Sequence, residues 1–103
     1  MLIDSEITIT VTVSGFNLVD AIGKPNVAGE GHINYFLNVA APTAPGQPAT
    51  AAAGSYNSTA ATSYTWPNLP DGAYTFYVEL VNNDNTPLSP PQVDQVAISI
   101  FTG

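Results

Sequence analysis

The chain has 103 residues, with eight acidic side chains against one basic one, and a net charge of −7. That balance repels phosphate backbones and anionic lipid surfaces, so nucleic-acid binding and membrane attachment through charge are excluded as functions. With no cysteine, neither disulfides nor thiolate metal sites can stabilise the fold; a chain of this size forms one domain, residues 1–103, around a hydrophobic core that buries roughly 60–70% of the unfolded surface.

From Ile3 to Ser14 the sequence alternates, with Ile7, Ile9, Val11 and Val13 on one face and Glu6, Thr8, Thr10 and Thr12 on the other. A period of two with β-branched residues predicts a strand with one buried and one wet face. Gly15 ends it. Residues 16–22 predict a weaker strand, closed by the turn Gly23-Lys24-Pro25-Asn26. His32 to Ala40 predicts another, with Ile33, Tyr35, Leu37 and Val39 on its apolar face and His32, Asn34, Phe36 and Asn38 opposite. Residues 41–63 hold Pro42, Pro45 and Pro48, which exclude a helix and leave room for a short edge strand near 50–53 or 55–57. The sequon Asn57-Ser58-Thr59 falls beside it.

Ser63 to Trp66 predicts a strand, and Pro67 to Gly72 a turn. Ala73 to Val81 follows, placing Tyr74, Phe76, Val78 and Leu80 inward. After a polar loop, NNDNTPLSPP, a last strand runs over 93–101 with Val96, Ile98 and Ile100 inward. About seven short strands separated by turn residues, with no helical periodicity, predict an all-β, two-sheet antiparallel sandwich.

Two resemblances refine this. Trp66-x-x-Leu69-Pro70-x-Gly72-x-Tyr74-x-Phe76-x-Val78 resembles the E-to-F region of fibronectin type III and other immunoglobulin-like domains, in which the tyrosine after the turn ties the corner between strands. It implies strands E, F and G at 63–69, 73–82 and 93–101. The chain also resembles small prokaryotic extracytoplasmic Ig-like domains with a Gly-x-Gly-His-x-His strand and an Asn-Asn-Asp-His-Thr-Pro loop. Here the corresponding stretches are Gly29-Glu30-Gly31-His32-Ile33-Asn34 and Asn82-Asn83-Asp84-Asn85-Thr86-Pro87. That resemblance implies that His32, Asn34 and Asn85 lie together. Three histidines there would suit copper or zinc, whereas one histidine and two amides would not.

The composition points away from catalysis. His32 is the one histidine, no G-x-S-x-G motif is present, and the carboxylates show no paired-acid spacing. The expected role is a non-enzymatic module acting through protein–protein contacts or self-association: a structural subunit of a filament, surface layer or multidomain protein. Outward-facing Phe36, Tyr77, Val81 and Phe101 are the candidate contact surface unless segment 41–63 folds over them. The strand over 3–14 is a second route, by pairing with a neighbour's open edge. The alternative is a calcium- or copper-binding module using His32 and Asp84 in the Asn82–Asn85 loop, although His32 reads first as a surface or strand-end histidine making a hydrogen bond and the loop as a self-bonded turn. No resident cofactor is expected otherwise. Carbohydrate binding would require Trp66, Tyr77 or Tyr56 to be exposed. Charged residues make up 9% of the chain against about 25% in an average soluble domain, which suggests an extracellular, cell-surface or periplasmic setting. No signal peptide is expected within this chain, and no stretch reaches the ~20 apolar residues of a membrane helix.

Overall fold

The computed structural model describes residues 5–101. They form seven strands: β1 (Ser5–Thr10), β2 (Asn17–Leu18), β3 (Glu30–Leu37), β4 (Tyr56–Thr59), β5 (Ser63–Leu69), β6 (Gly72–Val81) and β7 (Pro87–Ile100). β1 and β5 make a two-stranded antiparallel sheet; the other five form a second sheet in the order β2-β3-β6-β7, with β4 also paired to β3. The alternation of β1 holds, Ile9 being buried and Glu6, Thr8 and Thr10 exposed. Ile3 and Asp4, at the start of that predicted strand, lie outside the described residues.

Bounds and pairing depart from the predicted pattern: β1 ends at Thr10 rather than Ser14, β2 covers two residues of the predicted 16–22, β3 runs 30–37 rather than 32–40, and β5 continues to Leu69 through the predicted turn. The pairing is not antiparallel throughout, because the two-residue β2 runs parallel to β3. β7 also starts six residues earlier than predicted. Val81 stands opposite Pro87 while Leu80 stands opposite Gln92, so Leu88–Pro91 bulge out of the ladder. Prolines normally interrupt a strand, but on an edge their missing N–H groups face away from the ladder. β3 runs antiparallel to β6 from His32↔Val81 to Leu37↔Phe76, which sets the start of one beside the end of the other.

The core lies between the two sheets and is built on Ile9, Ile33, Tyr35, Trp66, Leu69, Phe76 and Ile100. Aromatic rings run through it in contact: Tyr35 to Tyr64 at 5.8 Å between centroids, Tyr64 to Trp66 edge-on at 4.9 Å, and Trp66 to Phe76 at 6.5 Å. Such pairs contribute about 0.5–1.5 kcal/mol each beyond their area. The Tyr74 hydroxyl donates to the carbonyl of Pro70, fastening the corner between β5 and β6. The Tyr35 hydroxyl donates to the Ala61 carbonyl at 2.8 Å, and burial pushes its pKa up to about 12.

β3 departs most from the predicted one-sided burial, since Gly31 to Phe36 are buried in succession. Its core face meets the two-stranded sheet. Its other face lies under the Pro/Ala-rich segment, where Ala41 and Ala49 are buried. Gly31 has no room for a side chain, as a Cβ there would collide with the Val81 carbonyl and the Phe16 ring. Gly31→Ala is therefore expected to destabilise the domain by about 2–3 kcal/mol in chemical denaturation. An unchanged midpoint would contradict this packing.

Candidate functional site

Alternation along the paired strands puts His32, Asn34 and Phe36 of β3, and Tyr77, Glu79 and Val81 of β6, on the covered face of the five-stranded sheet. The covering segment is held by backbone bonds. Leu37 N–H donates to Ser55, Asn38 N–H to Thr75, and Ala49 N–H to the Asn85 carbonyl at 2.7 Å. The Asn34 amide group donates to the Ala49 carbonyl at 2.8 Å. Ala49 is thus held from both sides, by a strand residue and by the β6–β7 loop.

Asn85 is the centre of the cluster. It sits in the left-handed region with φ 70°, which asparagine tolerates better than other non-glycine residues. Its Oδ1 lies 2.7 Å from His32 Nε2, 3.3 Å from Asn34 Nδ2 and 3.5 Å from Ser58 Oγ. Ser58 donates more strongly to Asn34 Oδ1, at 2.6 Å. Because an amide oxygen accepts, the network assigns the His32 proton to Nε2. Burial lowers the His32 pKa against the smaller raising effects of Asn85, Asn34 and Asp20, so the ring is neutral. The gathering of His32, Asn34 and Asn85 implied by the Gly-x-Gly-His and Asn-Asn-Asp motifs is present. His32 itself is fully buried rather than a surface histidine.

Asp84 is placed differently. Its carboxylate is exposed and accepts from the Thr86 hydroxyl and from the Thr86 N–H at 3.0 Å. The hydroxyl bond is the largest influence holding its pKa below the ordinary value. The loop is self-bonded as predicted: Asn82 N–H donates to Thr86 and Asn85 N–H to Asn82. It is also tied to the Gly23–Asn26 turn, through Asn83 Nδ2 to the Pro25 carbonyl and Asp84 N–H to Asn26 Oδ1.

These placements test the donor set for a metal. The Asn85 oxygen already accepts from His32 and Asn34, Asp84 is engaged by Thr86, and no hydrogen bond joins Asp84 to His32. Among the described residues no three His, Cys, Asp or Glu side chains cluster. One neutral imidazole beside amide groups does not fit copper or zinc, and a single carboxylate falls short of a calcium site. Nor does the cluster pair a nucleophile with a base, since Ser58 bonds Asn34 rather than the imidazole.

The four candidate contact residues separate. Phe36 and Val81 are fully buried, Tyr77 is half-buried, and Phe101 is 84% exposed. They do not form one exposed patch, because the covering segment closes over the first two. Trp66 is buried and Tyr56 and Tyr77 are half-buried, with the Tyr56 ring 6.1 Å from that of Phe36. No strong match to a protein family, a curated protein or a solved structure was found for this chain.

Sequence reasoning missed Glu79. It stands opposite Asn34 on the covered face, is fully buried, and neither carboxylate oxygen has a hydrogen-bond partner in the protein. Alternation gave its face, but nothing local revealed that the face would be covered. Burial raises its pKa from 4.5 to about 7. The folded state therefore retains a proton that the unfolded chain releases as pH rises above 4.5, and stability falls across the window from 4.5 to about 7. Glu79→Gln is expected to flatten this dependence and, above neutrality, to stabilise the domain by about 1–3 kcal/mol. Thermal unfolding across pH checks it, and an unchanged pH profile would mean that the carboxyl is not held neutral.

Proposed function

We propose that this chain is a non-enzymatic, extracellular or cell-surface module, an Ig/fibronectin type III-like sandwich that works through protein–protein contacts as an assembly subunit. The observation that carries the reading is the uneven cover on the five-stranded sheet. One face lies beneath the chain's own 38–55 segment, while the other meets a sheet of two strands. Where that second sheet stops, a groove runs between residues 9–13 and β7, with Val11, Val13, Val78 and Leu80 beside Gln92 and Asp94; Val96, opposite Phe76, is 44% exposed on this side, while Val93, opposite Glu79, is 42% exposed on the other face. Its two parts hold about 250 and 120 Å³, below the roughly 300–1,000 Å³ of small-ligand pockets. A shallow groove of mixed apolar and polar lining beside the open edge of β1 suits another polypeptide better.

The sandwich type is supported by the Tyr74–Pro70 corner tie and by the positions of β5, β6 and β7, which match strands E, F and G of the resemblance. The low charge content supports an extracytoplasmic setting. The rival readings gain less from the geometry. A calcium or copper site at His32 and the Asn82–Asn85 loop would find His32 Nδ1 without a partner but the Asn85 oxygen and the Asp84 carboxylate already engaged. A sugar site would need flat exposed rings, and Trp66 is buried.

Sedimentation velocity over a dilution series tests the proposal. A sedimentation coefficient that rises with concentration, more steeply in high salt because a net charge of −7 on each copy is then screened, is the expected result. A strictly monomeric species at millimolar concentration would overturn it.

A further inference from the structure

Strand edges usually carry devices that prevent pairing with other chains: prolines, inward charges, bulges or shortness. β4 is four residues long. β5 contains Pro67, followed by Asn68 in the left-handed region. β7 has three prolines and the Leu88–Pro91 bulge, and turns Asp94 toward the groove opposite Val78. β1 is the exception. Between Ile7 and Val13 its strand and continuation read ITITVTV, with no charge, proline or glycine, the composition that favours pairing with an identical segment.

The backbone of this edge is available. Ile7 and Ile9 stand opposite Trp66 and Tyr64, and Val11 N–H donates to the Thr62 carbonyl at 2.8 Å. The odd residues therefore turn their N–H and C=O groups to β5, and those of Thr8, Thr10 and Thr12 point to the open side. Among the described residues β1 has no second partner strand.

We infer that the occupant of this edge is a second copy of the chain, with β1 pairing antiparallel to β1 of the partner about a two-fold axis at Thr10. This deepens the assembly reading and rests on it. The register is self-complementary. Thr10 meets Thr10, Thr8 meets Thr12, Ile9 meets Val11 and Ile7 meets Val13, so hydroxyls face hydroxyls on the wet side and aliphatic groups face each other above the groove. The Oγ1 atoms of Thr8 and Thr65, 2.8 Å apart across β1 and β5, already form one such threonine pair. Glu6, the one charge between Ser5 and Ser14, meets Ser14 and not its own copy, so the axis brings no like charges together. The irregularity between Ser5 and Ile7 and the last bond to β5 at Val11 leave the regular pairing at 7–11, and the ITITVTV sequence, centred on Thr10, carries the same alternation on to Val13. The outward residues supply about six backbone hydrogen bonds, two for each Thr–Thr pair, and the interface is isologous and closed. An edge of this length covers less than the ~1,000 Å² expected of a permanent interface, so association is concentration-dependent.

The cysteine-free chain gives a clean test. Thr10→Cys places two thiols across the axis within disulfide reach, about 4.4–6.8 Å between Cα atoms. Mild oxidation is expected to yield a covalent dimer from Thr10→Cys, and from an equimolar mixture of Thr8→Cys and Thr12→Cys but from neither of those alone. Thr10→Glu, which sets carboxylates face to face on an exposed site, is expected to weaken self-association about tenfold or more while leaving thermal unfolding of the dilute monomer intact. If the wild type self-associates yet Thr10→Cys does not cross-link and Thr10→Glu associates as well as wild type, the β1 interface is wrong and the assembly reading stands. If the wild type remains monomeric at millimolar concentration, both fall. Cross-linking of Thr8→Cys or Thr12→Cys alone, with none from Thr10→Cys, overturns the register.

Discussion

The structure depends on burying β3 from both sides. A strand with one wet face can be finished by a single packing layer, but Gly31 to Phe36 have no wet face. The core side is closed by Ile9 of β1 and by Trp66 and Leu69 of β5. The other side has no sheet available and is closed by residues 38–55, a segment too rich in proline to form one. Such a cover brings few ladder bonds of its own, so polar side chains on the strand must hold it. The Asn34 side chain does this by donating to the Ala49 carbonyl, and the backbone carbonyl of Asn85, in the β6–β7 loop, accepts from the Ala49 N–H. The polar cluster around His32 follows from that requirement. A buried face needing a non-sheet cover gathers hydrogen-bonding groups that mostly partner one another; of the His32 ring, Nε2 is engaged by Asn85 while Nδ1 is buried without a partner.

The same constraint explains where the protein remains unfinished. The polypeptide between β3 and β5 is committed to covering the outer face, so the two-stranded sheet gains no third strand from it. Isolated two-stranded ribbons are marginal in water, and this one is stable because it packs on β6 and β7. Along residues 92–96 of β7 it leaves a groove, and Val96 and the edge of β1 remain open. Glu79 is the cost of the arrangement. It lies on a face that is buried only because the cover folds over it, and it carries no partner there.

Much of this architecture was legible in the residues, and the failures have physical causes. From Ser63 to Leu80 a period of two and Tyr74 after Gly72 specify the corner, although β5 continues through Pro67 and Asn68 to Leu69, as the resemblance to strand E implies, where the turn residues alone predict a turn from Pro67. β1 was equally plain from its Ile/Thr/Val alternation. β7 was placed too late, since Pro87, Pro90 and Pro91 read as loop when no edge is in view. The weak strand predicted over 16–22 is reduced to the two residues of β2, and nothing local signals that they pair parallel to β3. At the site, the motif frames brought His32, Asn34 and Asn85 together correctly, whereas Asp84 was grouped with them by sequence adjacency although its side chain is held by Thr86. The burial of Phe36, Val81 and Glu79 was illegible for one reason: it is imposed by a distant segment whose own composition gives no hint of where it docks.

Amide hydrogen exchange on the dilute monomer tests this account most directly, since it reads the closed interior and the open edge together. The amides of Ile33, Asn34, Tyr35 and Phe36 and that of Ala49 are expected to exchange only through a common, near-global opening, because the cover and the strand form one unit. The amides of Thr8, Thr10 and Thr12 are expected to exchange orders of magnitude faster than those of Ile7, Ile9 and Val11, which face β5. Fast exchange at Ala49 with β3 still protected would show the cover to be a loose flap, and uniform protection along β1 would show its edge to be closed; either would contradict the account.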